Sequence, residues 1–374
     1  MAIRVVVAGL GAMGSAIAYH LTSRGAQVIG MDPFCPPHPF GSSHGKSRII
    51  REAYFEDPAY VPLVQRAYEL WQDLESRSQS RLLTITGGLM IGPQDGVLVS
   101  GALKSAAEHG LRHQVLDRSE LMTRFPFLRI PEGFVGVYEP RAGILDPEGC
   151  IRAHLNLARA QGADLRFGSR LLSWTLRNGV VEVATDQGVL SADALVLSLG
   201  PWLLDFLADL PLQVERQVMF WFAPSQDQEH LTPDRCPIYI VEYEPQCFFY
   251  GFPNTGDGLK VARHHQGEIT HPETVRRVVS EEEVEEIRRL VLPFLPAVSG
   301  PLKETQVCLY TNTPDGHFLI DRVPGADPIF VVSPCSGHGF KFASVIGEAV
   351  ARWILDGNPG HDLSLFSWKR WSTP

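Results

Sequence analysis

Along the first thirty residues, apolar runs and polar breaks alternate in a way that predicts strand, helix and strand. "IRVVVA" (residues 3–8) is a short apolar run rich in β-branched side chains, as in a parallel strand buried on both faces. "GLGAMG" (Gly9 to Gly14) follows directly, and an apolar helical pattern then runs to Arg24 with Gly25 as its stop. "QVIGMD" reads as a second buried strand ending on Asp32. A polar and aromatic loop, "HPFGSSHGKSRIIREAYFEDPAYVPL", leads into a helix around Val61–Glu75, with strand-like segments near Leu83–Ile91 and a helix near Val97–His109. Asp146 and Pro147 have the N-cap and N1 pattern of a helix to about Ala160. "VVEVATDQGVLSADALVLSLGPW" reads as a hairpin and a buried strand. From Gln213 to about Thr311 come alternating strands: "QVMFWFA", "CPIYIVEY", "CFFYGF", "LKVARH" and "QVCLY". Ser280 and Glu283 form a capping box for the one helix that interrupts them. "HFLID", "IFVVS" and a helix from about Gly339 to Leu355 close the chain.

The fold class expected is α/β: a Rossmann-type dinucleotide-binding domain plus a second domain with a mainly antiparallel sheet (α+β). At 374 residues the chain exceeds the ~250–300 at which a single core stops growing, so two domains are expected. Residues 1–82, 143–214 and 312–374 are assigned to the first, and 83–142 and 215–311 to the second. The cleft between them is the default site. Strand, G-x-G-x-x-G, helix, strand and terminal acid together make a dinucleotide fingerprint. Gly9 makes the tight turn, Gly11 lets backbone approach a pyrophosphate, and Gly14 lets helix pack on strand. The helix N-terminus faces the phosphates, and Asp32 accepts hydrogen bonds from a ribose.

Composition narrows the function classes. A net charge of −9 argues against nucleic-acid or anionic-membrane partners, which favour a basic face. Positive charge for an anionic substrate must then be built locally. The six cysteines are scattered without C-x-x-C spacing, so they predict neither a disulfide scaffold nor a metal site, and a reducing cytoplasm suits them. The N-terminal apolar run is too short for a signal peptide, and no apolar run approaches the ~18 residues of a membrane span.

Candidate chemistry concentrates near the C-terminus. "SGHGFKF" offers free backbone N–H groups where a helix begins, an arrangement that stabilises anions. Lys341, one of only six lysines, sits there between two phenylalanines. It reads either as a surface lysine of an amphipathic helix or, given those neighbours, as a site residue. In "LKVARH", alternation puts Lys260, Ala262 and His264 on one face, opposite Leu259 and Val261. In "QVCLY", Cys308 and Tyr310 share a face, and a lone strand cysteine is commonly a small buried hydrophobe. Arg48 and Arg51 share one side if their loop is helical; taken alone they read as solvated charges or as partners of Glu52 and Asp57. His317 and Glu242 are equally open.

With these motifs in place, the chain resembles, essentially end to end, the monomeric sarcosine oxidase and N-methyltryptophan oxidase group of flavoprotein amine oxidases. The resemblance is carried by "GLGAMGSAIAYHL", "PPHPFGSSHGKSRIIREAY", "YGFP…GLKVARHH", "CLYTNTPDGHFLID" and "SGHGFKFASVIGE". It implies FAD, attached through a thioether from Cys308 to the flavin 8α-methyl, and Lys260 activating dioxygen near flavin N5 by way of an ordered water. It implies that Arg51 and Lys341 bind the substrate carboxylate and that Tyr310, His264 and Tyr250 line the amine pocket. Arg48, His44 and His338 lie against the flavin, with Ser42, Gly337 and Gly339 among the cofactor contacts. The implied reaction is oxidative demethylation of sarcosine or a related N-methyl amino acid by a monomer, giving formaldehyde and hydrogen peroxide.

This chain departs from the group's pattern at several points. Lys46 replaces an aspartate, Glu52 and Ser43 replace histidines, and Pro334 and Cys335 precede the C-terminal turn. Ile240 stands in place of a flexible methionine over the substrate, which changes the pocket's shape. A bulkier N-methyl or cyclic secondary amino acid is the nearest alternative substrate. A pyridine-nucleotide dehydrogenase shares the fingerprint but has no use for Cys308 or the C-terminal turn, and a non-catalytic flavoprotein has none for Lys260.

Overall fold

The structure is a computed structural model that describes residues 2–371. Strand β1 (Arg4–Ala8), helix α1 (Ala12–Ser23) and strand β2 (Gln27–Asp32) form as the hydrophobic pattern predicts. β1 pairs in parallel with β2 on one side and with Ala194–Leu197 on the other. They belong to a six-stranded sheet in which Ala326–Ser333 and Asp164–Phe167 are also parallel, and Leu319–Val323 closes one edge antiparallel. The inner strands are apolar on both faces because helices cover one side and the three-stranded sheet of Leu171–Arg177, Val180–Thr185 and Gly188–Ala192 packs on the other. On α1 pack the helices Pro147–Ala160 and Ala343–Asp356, the latter closely enough that a Cβ on Gly347 would meet Ala16.

The second large sheet has eight strands, from Leu302–Asn312 at one edge through Gln213–Phe222, Leu259–His264, Cys247–Gly251, Ile238–Glu244, Gly88–Pro93 and Phe134–Glu139 to Gln114–Leu116. Its core is aromatic, with Phe222, Phe249, Tyr239 and Phe127 buried. The helix Glu281–Val291 packs against it, opened by the Ser280–Glu283 capping box. Asp146 caps Pro147–Ala160 through Gly149 N.

The large sheet is mainly antiparallel, as expected, with one parallel pair, Ile238–Glu244 and Gly88–Pro93. Three details differ from the sequence expectations. The segment near Leu83–Ile91 is two strands in two sheets: Leu83–Ile85 pairs with Gly143–Leu145, and Thr86 and Gly87 turn the chain into Gly88–Pro93. Arg48 and Arg51 do not lie on a helix; Arg48–Ile50 is a short strand against Gly143–Leu145 and Arg51 begins the loop after it. The last helix is preceded by a 3₁₀ turn, Phe340–Phe342, so Lys341 sits in that turn and Ala343 opens the α-helix.

Candidate active site

A cavity of about 250 Å³ opens where these elements converge. The β1–α1 turn brings Gly9 and Gly11 to its wall, β2 brings Asp32, and the loop after it brings Ser42. The large sheet contributes Ile240, Tyr250, His264, Cys308 and Tyr310. The C-terminal turn adds Gly337, His338, Gly339 and Lys341, and Arg48 and Arg51 complete it. Gly14, His44 and Lys260 lie behind this wall rather than in it.

The glycine turn needs its glycines for two separate reasons. Gly9 has φ +87°, and a Cβ there or on Gly14 would collide with backbone, respectively Ser198 and the Gly9 carbonyl. A Cβ on Gly11, by contrast, would meet only the Ser43 hydroxyl, so this backbone is open to a ligand. Asp32 accepts from Leu10 N (2.8 Å) and Phe34 N (2.9 Å). Burial still outweighs those two donors and lifts its pKa to about 6.

Arg48 reaches the cavity without a carboxylate partner. Its Nη1 donates to Ser47 O (2.9 Å) and its Nη2 to Ser42 O (3.1 Å), and among the described residues no carboxylate pairs with it. Cys308 Sγ lies 3.6 Å from Arg48 Nη2. A buried guanidinium without a counter-ion is costly unless an anion completes it. His44 donates from Nε2 to Val307 O (3.1 Å), which as a carbonyl can only accept, so Nδ1 is bare and faces no partner. Burial, then the Arg48 charge, hold the His44 pKa at about 3, and the ring is neutral.

Lys260 is 1 % exposed, directly opposite Trp221 across the strand pair. Nζ donates to Gly45 O (2.8 Å), Ser47 O (2.8 Å) and Ser47 Oγ (3.2 Å), which uses all three of its protons. It also faces the rings of Phe252 (4.7 Å) and Trp221 (5.4 Å). Burial, followed by repulsion from Arg48, presses its pKa well down. Three acceptors and two ring faces oppose that pressure, and they hold the ammonium form.

Arg51 and Lys341 do share one end of the cavity, but each already has partners. Arg51, 2 % exposed, donates from Nη2 to both Glu56 oxygens (2.7 Å each) and from Nη1 to Ala53 O (2.9 Å). Its Nε is buried with no partner. The sequence pairing with Glu52 or Asp57 is therefore corrected: Glu52 instead pairs with Arg141 (2.7 Å), and Asp57 caps its own turn through Ala59 N. Lys341 Nζ donates to His338 O (2.7 Å) and Tyr54 OH (3.3 Å). Gly316 O accepts from His338 Nε2 (3.0 Å), so His338 Nδ1 must accept from Tyr54 OH (2.6 Å), and Tyr54 must accept from Lys341. Burial, then Lys341, hold the His338 pKa at about 4, leaving the ring neutral. Burial, then Arg51, bring Lys341 down to about 7.

On the opposite wall, His264 Nδ1 is 3.4 Å from Tyr310 OH, and Tyr250 lies edge-on to the His264 ring. Burial, then His265, push the His264 pKa well below its ordinary value, so this wall is uncharged. Ile240 sits in register with Tyr250. Tyr54 and Glu56 were not singled out from sequence, although both lie in the loop that carries Arg51; nothing in their spacing distinguishes them from surface residues.

Residues 4–353 match the family described as FAD dependent oxidoreductase. The chain belongs to that family. Among its relatives, monomeric sarcosine oxidase of Streptomyces avermitilis is 42% identical over 98% of this chain and 97% of its own. N-methyl-L-tryptophan oxidase of Salmonella newport is 34% identical over 98% and 99%. NikD, an unusual amino acid oxidase essential for nikkomycin biosynthesis, superposes with a TM-score of 0.84 at 25% identity over 98% of this chain and 97% of its own. The site of this FAD dependent oxidoreductase fits the cofactor on structural grounds: an open glycine cradle at Gly11, an unpaired Arg48, and buried hydroxyls of Ser42 and Ser333 without partners at the cavity.

Proposed function

We propose that this enzyme uses FAD to demethylate sarcosine or a closely related N-methyl amino acid, with dioxygen as the acceptor. The observation that carries the reading is the meeting of Arg51 and Lys341 on the wall of the same cavity that holds Cys308. FAD, when bound, would supply the two-electron redox chemistry between the amine and dioxygen. Sarcosine, water and dioxygen then give glycine, formaldehyde and hydrogen peroxide.

The residues of the chain act around that chemistry. Arg51 and Lys341 hold the substrate carboxylate by charge-assisted hydrogen bonds and so fix the amine end in place. The same two charges lower the pKa of the amine, favouring the neutral form that can be oxidised. His264, Tyr250, Tyr310 and Ile240 exclude water and shape the space around the methyl group. Gly9, Gly11 and Asp32 would hold the dinucleotide, with Gly14 packing the turn behind them; Ser42, Gly337, His338 and Gly339 would contact the ring system, with His44 behind that wall. Arg48 and the 3₁₀ turn at Phe340–Phe342 stabilise negative charge that develops there. Lys260 stabilises charge developing on dioxygen. The attachment of flavin at Cys308, a monomeric state, a cytoplasmic location and the division into residues 1–82, 143–214 and 312–374 against 83–142 and 215–311 belong to the same proposal. Among the described residues no helix is long and apolar enough to cross a membrane.

Purified protein is expected to be yellow, to remain so after acid precipitation, and to release peroxide on addition of sarcosine. A panel of N-methyl and cyclic secondary amino acids read by peroxide ranks the substrates; a panel without any peroxide overturns the proposal. The carboxylate clamp makes a separate prediction. Lys341 is charged below about pH 7 and neutral above it. Binding of acetate or propanoate, which carry no titrating amine, should therefore weaken as pH rises through about 7 in a titration of the flavin spectrum. Lys341→Met should abolish that pH dependence.

A further inference from the structure

Lys46 joins two parts of the molecule around Lys260. Its backbone adopts φ +66°, a left-handed conformation that disfavours any side chain other than glycine. Gly45 N and Lys46 N both donate to Glu148 (2.7 and 3.2 Å), which fixes the turn from one side. From the other side, Lys46 Nζ donates to Asp257 (2.8 Å) and Glu304 (2.6 Å), at the edge of the large sheet. The peptide groups held between these two clamps carry the Gly45 and Ser47 carbonyls, the acceptors of the Lys260 ammonium at 2.8 Å each. Trp221 completes the link, with Lys46 Nζ at 5.5 Å and Lys260 Nζ at 5.4 Å from its ring.

Two alternative accounts are weaker. An exposed ion pair adds little to stability, and Lys46 is a third exposed, so a general stabilising role explains little. Direct action on dioxygen is the poorer account, because the Lys46 ammonium is a third exposed and already paired with both Asp257 and Glu304.

We propose that Lys46 is a positioning residue for Lys260: its bonds to Asp257 and Glu304 hold the 45–47 turn so that two carbonyls point at the Lys260 ammonium. This rests on the role of Lys260 in re-oxidation given above. Arg48 is the cation that presses on Lys260 most, so loosening the turn leaves its ammonium facing that charge with fewer acceptors.

The test uses the holoenzyme with Lys46→Met, Lys46→Arg, Lys260→Met and the Lys46→Met/Lys260→Met double variant. Hydrogen–deuterium exchange of the 45–47 amides is read by mass spectrometry, and flavin re-oxidation by stopped flow. Lys46→Met should speed exchange and slow re-oxidation by about tenfold, a modest share of what one positioned charge contributes. Lys46→Arg should restore both, and in the Lys260→Met background Lys46→Met should slow re-oxidation no further. Unchanged exchange in Lys46→Met overturns the proposal, as does an equal slowing with and without Lys260. If Lys260→Met itself re-oxidises normally, the role of Lys260 fails, while the exchange result still decides whether Lys46 holds the turn. Should Lys46→Met not fold, Asp257→Asn/Glu304→Gln carries the same test.

Discussion

Lys260→Met should reduce normally with substrate in the absence of air and re-oxidise about 10²- to 10³-fold more slowly, the range found when one preorganised electrostatic group is removed. Methionine keeps the length and most of the volume of the lysine stem, so the packing between Trp221 and Phe252 survives. What disappears is a positive charge held in a dry site by Gly45 O, Ser47 O and Ser47 Oγ. A charge held in this way needs no reorganisation when electrons reach dioxygen. It stands behind the cavity wall, whereas Arg51 and Lys341 line it, so in the proposed reading substrate reduction does not depend on it. Stopped flow separates the two half-reactions. A variant whose re-oxidation stays within about twofold of the parent would mean that another group meets the oxygen.

Cys308→Ser should give a protein whose yellow colour is lost wholly to the supernatant on acid precipitation, where the parent retains it in the pellet. Cys308 is 2 % exposed, lines the cavity and stands in register with Gln217 on the neighbouring strand. Arg48 Nη2 lies 3.6 Å from its sulfur, the atom that would act as nucleophile. Serine preserves the shape but is far less nucleophilic. Colour retained in the pellet would move the attachment elsewhere, and Cys335, which lines the same cavity, would be the next position to replace.

How much of this was legible in the sequence depended on whether an interaction was local. The turn from β1 to α1 was readable because its requirements lie within six residues: a positive φ at Gly9, an open edge at Gly11, close packing at Gly14. The Ser280–Glu283 and Asp146 caps were readable for the same reason. Alternation correctly put Lys260 on a face apart from the core residues Leu259 and Val261. It could not say that the 45–47 loop would arrive to satisfy the ammonium, because that contact spans 213 to 215 residues. Arg51 illustrates the opposite failure. Its partner is only five residues away, yet Glu52, Glu56 and Asp57 are indistinguishable until the loop's path is known. The break at Thr86 and Gly87 was hidden in an apolar stretch whose halves pair in different sheets.

The pairing of Arg51 with Glu56 bears on how strongly anything can be held there. The guanidinium already pairs with Glu56 through Nη2 while its Nε has no partner, so an arriving anion shares a charge that is partly neutralised and is gripped less than by a bare arginine. Selectivity then falls to the uncharged surroundings, above all the shape presented by Ile240 and Tyr250. A modest grip at the acid group also eases departure of the product, which carries that same group away.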